Sequence, residues 1–440
     1  MNSSLFARSG LVGLTLGLIC LTGCPGPKDD GAKPPAGSGD APVAANTSPD
    51  TPQPPARTPT ATLEDFQAAK TLLDGLADAT CKVLPDEVLT EIAIQDGSSL
   101  SPEDIVLFGR LTDLETLQIY NYRELNDEMA AQLAGLTNLT SLALTNSIIG
   151  DPTVEMIAEA FPGLTALDLS SNTNMSSGVI KTIAKLEDLE RLILVQNRIN
   201  DLGTRRLSRL EKLRLLDLRG NMEVGDSSME TIGELPILAA LKHRSTTVGD
   251  SGMEYLAGNK TLKALLIQDF AITSQAGQYL AQLPNLQELE IFRCQGLGSE
   301  GVLALKGTKL TRLTLRDLPM VDDGAMEVFT DLPQLTRLYL HEIGSLSDDG
   351  LQNLKSLESL EVLDIWAVPK MSDATLDVIA KLPNLKQLSI RTTGVTDAAV
   401  DKILAMPKLE SLTLKDNGQV TDEALKKLST KQWTKIDTGN

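Results

Sequence analysis

Residues 385–409 read LKQLSIRTTGVTDAAVDKILAMPKL, and the two periods inside this stretch decide the fold. Leu385, Leu388 and Ile390 alternate with polar residues, the pattern of a strand with one buried face. Val395, Thr396 and Asp397 then introduce a segment with helical spacing of apolar residues. A Thr hydroxyl at that point caps free backbone N–H groups, and the Asp complements the positive end of the helix dipole. Leu409 begins the next strand pattern.

The same unit fills most of the 440-residue chain. The pattern L-x-x-L/I-x-L/I starts at Leu89, Leu114, Leu139, Leu164, Leu189, Leu213, Leu238, Leu262, Leu286, Leu310, Leu335, Leu360, Leu385 and Leu409, always 24 or 25 residues apart. A fifteenth, degenerate copy begins at Trp433. A fixed period of this length marks a solenoid in which each unit buries its apolar face against its neighbours. The acidic junctions recur as well, as in Leu346-Ser347-Asp348 and Val420-Thr421-Asp422. Paired acids such as Asp322-Asp323 and Asp348-Asp349 suggest calcium at first sight. Helix capping explains them more simply, so no metal site is expected.

Asn172, Asn197, Asn221 and Asn417 each stand eight residues after the first Leu of their copy. With these residues in place, positions 83–440 resemble the leucine-rich repeat family. The helix-bearing unit is most similar to the ribonuclease-inhibitor-like and F-box-associated varieties. The resemblance implies an α/β fold: a right-handed parallel β/α solenoid, horseshoe or arc, with strands on the concave face and helices on the convex face. It also implies that the Asn side chains hydrogen-bond the turn backbone along a ladder, and that Cys294, at the same position, is structural. Leu318, Ile343 and Val368 depart from that pattern.

The first 61 residues are of another kind. Arg8 precedes the apolar stretch Leu11–Leu21, which is too short to span a bilayer and fits a signal peptide over 1–23. The sequence Leu21-Thr22-Gly23-Cys24 resembles the lipobox of bacterial lipoproteins, in which Cys24 is lipidated. Residues 24–61 then read as the lipidated Cys and a disordered linker carrying ten of the 21 prolines. An N-terminal cap is expected over 62–88, with a helix start at Thr62, fourteen repeats over 89–432 and a C-terminal cap over 433–440. The expected location is a bacterial cell envelope, lipid-anchored to a membrane with the repeats outside the cytoplasm. Cys81 and Cys294 lie too many repeats apart to form a disulfide.

Aromatic residues are 3% of the chain and the net charge is −19. That balance disfavours nucleic acid and anionic membrane surfaces as bulk partners. No catalytic or phosphate-binding motif is present, and the two histidines stand four copies apart, so neither an enzyme nor a cofactor is expected. Residues two, four and six places after the first Leu face the concave side. Down the six-place column the chain turns basic and aromatic: Arg219, Arg244, Phe292, Arg316, His341, Trp366, Arg391 and Lys415. Neighbouring columns add Lys242, Arg312, Arg337 and Tyr339. These residue types dominate binding hot spots. They point to a monomeric, non-enzymatic protein that recognises a protein or an anionic glycan or cell-wall ligand. The alternatives are an envelope spacer that self-associates and an enzyme with an unrecognised site.

One core position stands out in LAALKHRSTTVGD, residues 238–250. His243 occupies the inward position where the other intact copies have Leu or Ile. A neutral imidazole bonded to backbone or a nearby Thr is expected, and its replacement by Leu is expected to be neutral or stabilising.

Overall fold

The computed structural model describes Thr60–Gly439. The readings on the signal peptide, Cys24 and the linker up to residue 59 lie outside the described residues. Thr60 and Ala61, placed in the linker by sequence, already donate their backbone N–H groups to the Asp113 carboxylate. Order therefore begins at least two residues before the expected cap. No helix among the described residues is long and apolar enough to cross a membrane.

Sixteen strands form one sheet in strict chain order, the topology of a solenoid. All neighbours from Val88–Ile94 onward pair in parallel, and only Ala79–Leu84 runs antiparallel, as a hairpin with Val88–Ile94. From Val88–Ile94 to Ser411–Lys415 each strand is followed by a helical segment, and neighbouring segments pack on one another, leaving the other sheet face uncovered by the described residues. Leu and Ile at the first, fourth and sixth places of each copy point between the two layers. Leu310, Leu313 and Leu315 are all 0% exposed.

The helical half is shorter than the sequence periodicity suggests. Asp151–Ala160 is a ten-residue α-helix, but Asp323–Asp331 is wholly 3₁₀ and Gln352–Ser356 continues a four-residue α-helix as 3₁₀. A unit of 24 or 25 residues leaves little room once strand and turns are made, and 3₁₀ winding covers more length per residue. Close stacking on this side requires glycine at some positions. A Cβ on Gly277 would sit 2.1 Å from the Gly301 carbonyl oxygen in the adjacent repeat.

The Asp residues do more than complement a helix dipole. Asp348 accepts from the backbone N–H and hydroxyl of Ser372 in the next repeat, at 2.9 and 2.5 Å. Asp323 does the same for Ser347, Asp373 for Thr396 and Asp250 for Thr273. Each carboxylate thus ties its own unit to the following one, and no cluster fit for a metal ion appears among the described residues.

The Asn ladder runs as the resemblance implies through Asn221, breaks off at the His243 repeat and returns at Asn417. Asn172 accepts from Ser147 N–H, Asn197 from Asn172 N–H, and Asn221 from Asn197 N–H, each at 3.0 Å. One repeat on, the His243 ring takes up the contacts with the Asn221 repeat. Its Nε2 lies 3.0 Å from the Val224 carbonyl and its Nδ1 3.3 Å from that of Leu218. Phe270 meets the imidazole edge-on, with ring centroids 5.3 Å apart. In the next five repeats the Asn column is apolar, with Phe270, Cys294, Leu318, Ile343 and Val368 all within 1% of full burial, before Thr393 and Asn417 restore the polar contact at 2.9 Å.

Both ends are covered unequally. Thr62 caps the helix Leu63–Gly75, whose Ala69 and Leu73 are buried, and Asp65 pairs with Arg110 of the first repeat at 2.7 Å. The antiparallel hairpin, unforeseen in sequence, closes that edge of the sheet. At the other end Trp433 packs on the core and donates to the Leu428 carbonyl at 2.8 Å. Ile436, within the expected C-terminal cap, stays 43% exposed. Cys81 and Cys294 are free thiols.

Candidate binding face

The uncovered face of the sheet collects the basic and aromatic residues into one row. Parallel pairing sets Arg244 beside Gln268, then Phe292, Arg316, His341, Trp366, Arg391 and Lys415 on successive strands. Side chains in such register stand about 4.8 Å apart, close enough to stack. The Arg316 guanidinium lies 4.3 Å from the Phe292 ring centroid and 5.2 Å from that of Trp366. Arg391 covers Trp366 from the far side at 5.2 Å. His341 meets Trp366 and Tyr339 edge-on, at 5.7 and 6.0 Å. Arg312 stacks on Tyr339 at 5.0 Å.

Most of the cations are already paired. Arg316 binds Glu342 at 2.8 Å, Arg391 and His341 share Asp364 at 3.1 and 3.3 Å, and Arg312 reaches Glu288 at 3.9 Å. Arg244 binds Asp269 at 2.5 Å, Lys415 binds Asp437 at 2.8 Å, and Arg219 forks onto Asp217 in its own repeat. Lys242 and Arg337 make no ion pair among the described residues, and burial pushes the Lys242 ammonium down. Burial pushes the unpaired Glu290 carboxyl up, against the pull of Arg312 and Arg219. Asp364 shows the opposite balance. Burial works against its charge, but His341 and Arg391 outweigh it and hold the carboxyl below the usual range. Around Trp366 the charges cancel: Arg312, Arg316, Arg337 and Arg391 face Glu288, Glu290, Glu342 and Asp364. The expected basic surface is therefore a nearly neutral one, in which arginines serve as stacking planes.

Two polar atoms in this cluster, His341 Nε2 and Arg391 Nε, are buried without a well-formed hydrogen bond. Arg219 and Lys242 lie on earlier strands and take no part in the stack. Sequence reading missed Arg293, which stacks on Phe292 at 4.5 Å and pairs with Asp269 at 2.6 Å. It stands one place beyond the strand, in the turn. That place has positive φ, between 51° and 83°, in twelve repeats, and in eleven of them the residue is not glycine. The usual glycine signal for a left-handed turn is absent, so the column went unread.

The leucine-rich repeat family model matches residues 282–306 and 405–429. No curated protein sequence matches the chain significantly. Among solved structures, a chain of the Rad7 and Elc1 complex of yeast is similar, with 17% identity and a TM-score of 0.52, over 85% of this chain and 87% of that one. An internalin of Listeria monocytogenes shares 19% identity over 86% of this chain and 95% of its own, with a TM-score of 0.45. A leucine-rich-repeat protein of Leptospira interrogans shares 21% identity over 85% of this chain and 98% of its own, with a TM-score of 0.47.

Proposed function

This chain is a leucine-rich-repeat protein, and from that premise we propose that it binds a protein partner through the row Phe292, Arg316, His341, Trp366 and Arg391. The observation that carries the reading is the stack itself. Phe292, Arg316, Trp366 and Arg391 alternate ring and guanidinium on a sheet face that no other element among the described residues covers. Trp, Tyr and Arg are the residues most enriched at interface hot spots. Held flat by one another and by Glu342 and Asp364, they lose little side-chain freedom on docking. A yeast protein of this fold is seen in a complex with another protein, which agrees with a scaffold role.

The near balance of charge favours a protein over an anionic glycan. A patch already neutralised from within has little electrostatic attraction left for a polyanion. The signal-like stretch before Leu21-Thr22-Gly23-Cys24 supports a lipid anchor at Cys24, and the proline-rich segment to residue 59 supports a tether between anchor and repeats. On this reading the protein is a non-enzymatic envelope lipoprotein. The test is capture of partners from envelope extracts by the protein and by a variant with Arg316, His341, Trp366 and Arg391 all replaced by Ser. A partner retained by the first and lost by the folded variant supports the reading. Equal retention contradicts it.

A further inference from the structure

The other half of the same face has a different chemistry. A cleft of about 680 Å³ opens along the rim of the strands Thr116–Ile119 to Arg191–Ile193, lined by Tyr120, Asn146, Ile148, Asp168, Ser171 and Gln196 among others. Its volume falls in the range of about 300–1,000 Å³ typical of small-molecule sites. The rim residues Asn121, Asn146, Ser171 and Gln196 occupy the left-handed turn place of four successive repeats, with φ between 52° and 62°. The corresponding places in the later repeats are mostly charged, as at Asp269, Arg293, Asp317, Glu342 and Asp416.

We infer that this cleft binds a neutral oligosaccharide, at a site separate from the stacked row and independent of the protein-binding reading. Its groups are half committed and half free. Asn146 donates its Nδ2 to Asn121 Oδ1, leaving its own Oδ1 open. Ser171 Oγ donates to Gln196 Oε1 at 3.5 Å, leaving the Gln196 amide donor open. Asp168 Oδ1 accepts from the Ser170 backbone N–H and hydroxyl at 2.9 and 2.6 Å, leaving Oδ2 open. The Tyr120 hydroxyl has no partner among the described residues. The result is an array of donors and acceptors repeated at strand spacing, about 4.8 Å. Pyranose residues in a glycan repeat at a comparable length and present hydroxyls that both donate and accept.

Sugars also carry apolar C–H faces, and the cleft offers two apolar surfaces for them. One is the half-buried Tyr120 ring. The other is Ile148, 50% exposed on an otherwise polar rim with nothing else to account for it. Aromatic rings pack on such faces while their polar edges remain bonded. A peptide would want a deeper apolar pocket for an anchoring side chain, and the lining carries one cation, Arg123, and one carboxylate, Asp168, so it favours neither sign of charge.

The experiment titrates the full chain with maltotriose, cellotriose and chitotriose, read by saturation-transfer NMR and calorimetry, with the tripeptide Ser-Asn-Ser as the comparison ligand. At least one trisaccharide is expected to bind, with affinity falling at least about tenfold in both Tyr120→Ala and Asp168→Asn. Arg316→Ser, in the stacked row, is expected to leave sugar binding unchanged, so this outcome and that of partner capture are read separately. Three results each overturn the inference: no trisaccharide binds, binding persists in variants whose circular dichroism is native, or the tripeptide binds as well as the sugars.

Discussion

The Nε2 atom of His243 lies 3.0 Å from the carbonyl oxygen of Val224, in the preceding repeat. Burial pushes the imidazole toward its neutral form, which carries a single N–H. The Leu218 carbonyl, facing the other ring nitrogen, already accepts from the Asn221 side chain at 3.0 Å. Val224 has no other donor among the described residues, so the proton belongs on Nε2. The bond to backbone agrees with the expected neutral imidazole, and it argues against leucine serving as well. His243→Leu leaves a buried carbonyl unmet at a cost of about 1–3 kcal/mol, only partly offset by the added apolar burial. Denaturant midpoints of the two proteins check this; an unchanged or higher midpoint in the variant contradicts it.

The inter-repeat carboxylates make stability depend on pH in a definite direction. Burial of Asp348 works against its charge, but hydrogen bonds from Ser372 and Thr375 outweigh it and lower its affinity for protons. A carboxyl depressed in the folded state stabilises above its unfolded value, about 3.9, and that contribution is lost as pH falls through the folded value. Asp348→Asn is expected to cost about 1–2 kcal/mol at pH 7, as charge-assisted hydrogen bonds become neutral ones, and almost nothing near pH 2. Thermal unfolding at the two pH values measures the difference. A cost that does not shrink on acidification shows that the charge is not what matters.

Gly277 and Gly301 bring two helical segments into backbone contact. Gly277→Ala places a methyl 2.1 Å from a carbonyl oxygen that cannot move without shifting its repeat. Overpacking of this kind costs about 1–3 kcal/mol. Gly75→Ala, where nothing lies within 4 Å, is the control and should change stability little. A Gly277→Ala variant as stable as the control, read by urea denaturation, contradicts the contact, because backbone entropy alone favours Ala over Gly.

Cys294 is 0% exposed, and burial pushes its thiol up to about 12. Thiolate is the reactive form, so alkylation under native conditions should spare it while reaching the partly exposed Cys81. Peptide mapping after iodoacetamide tests this, with modification of Cys294 expected only in denaturant. Equal labelling of both in the native protein contradicts its place in the core.

Most of the scaffold was legible because the repeat states it fourteen times. Leu385, Leu388 and Ile390 read as one buried face from their spacing alone, and the Asn ladder followed from a shared position. What could not be read depends on contacts between units. The Asp348–Ser372 bond joins residues 24 apart and looks, in sequence, like local capping. The antiparallel hairpin at 79–94 has no repeat to announce it. In the binding face the row itself was legible, since register follows from period. Its charge state was legible only in part, from Glu288, Glu290 and Asp364 in the strand columns. Glu342 and Asp269 sit in the turn column, and only the fold shows that they neutralise Arg316 and Arg244. The cleft beside Tyr120 is a property of volume, which a string of residues does not display.

The most direct test of the central claim is hydroxyl-radical footprinting of the protein with and without its captured protein partner. Phe292, Tyr339 and Trp366 are reactive side chains in the stacked row, and Trp433, at the far end of the array, is an internal control. Oxidation at the first three is expected to fall on binding, and to stay low through moderate salt because the arginines are already paired, while Trp433 is unchanged. Undiminished oxidation of Phe292, Tyr339 and Trp366 in a saturated complex, with protection appearing elsewhere, would place the interface off the row and contradict the account.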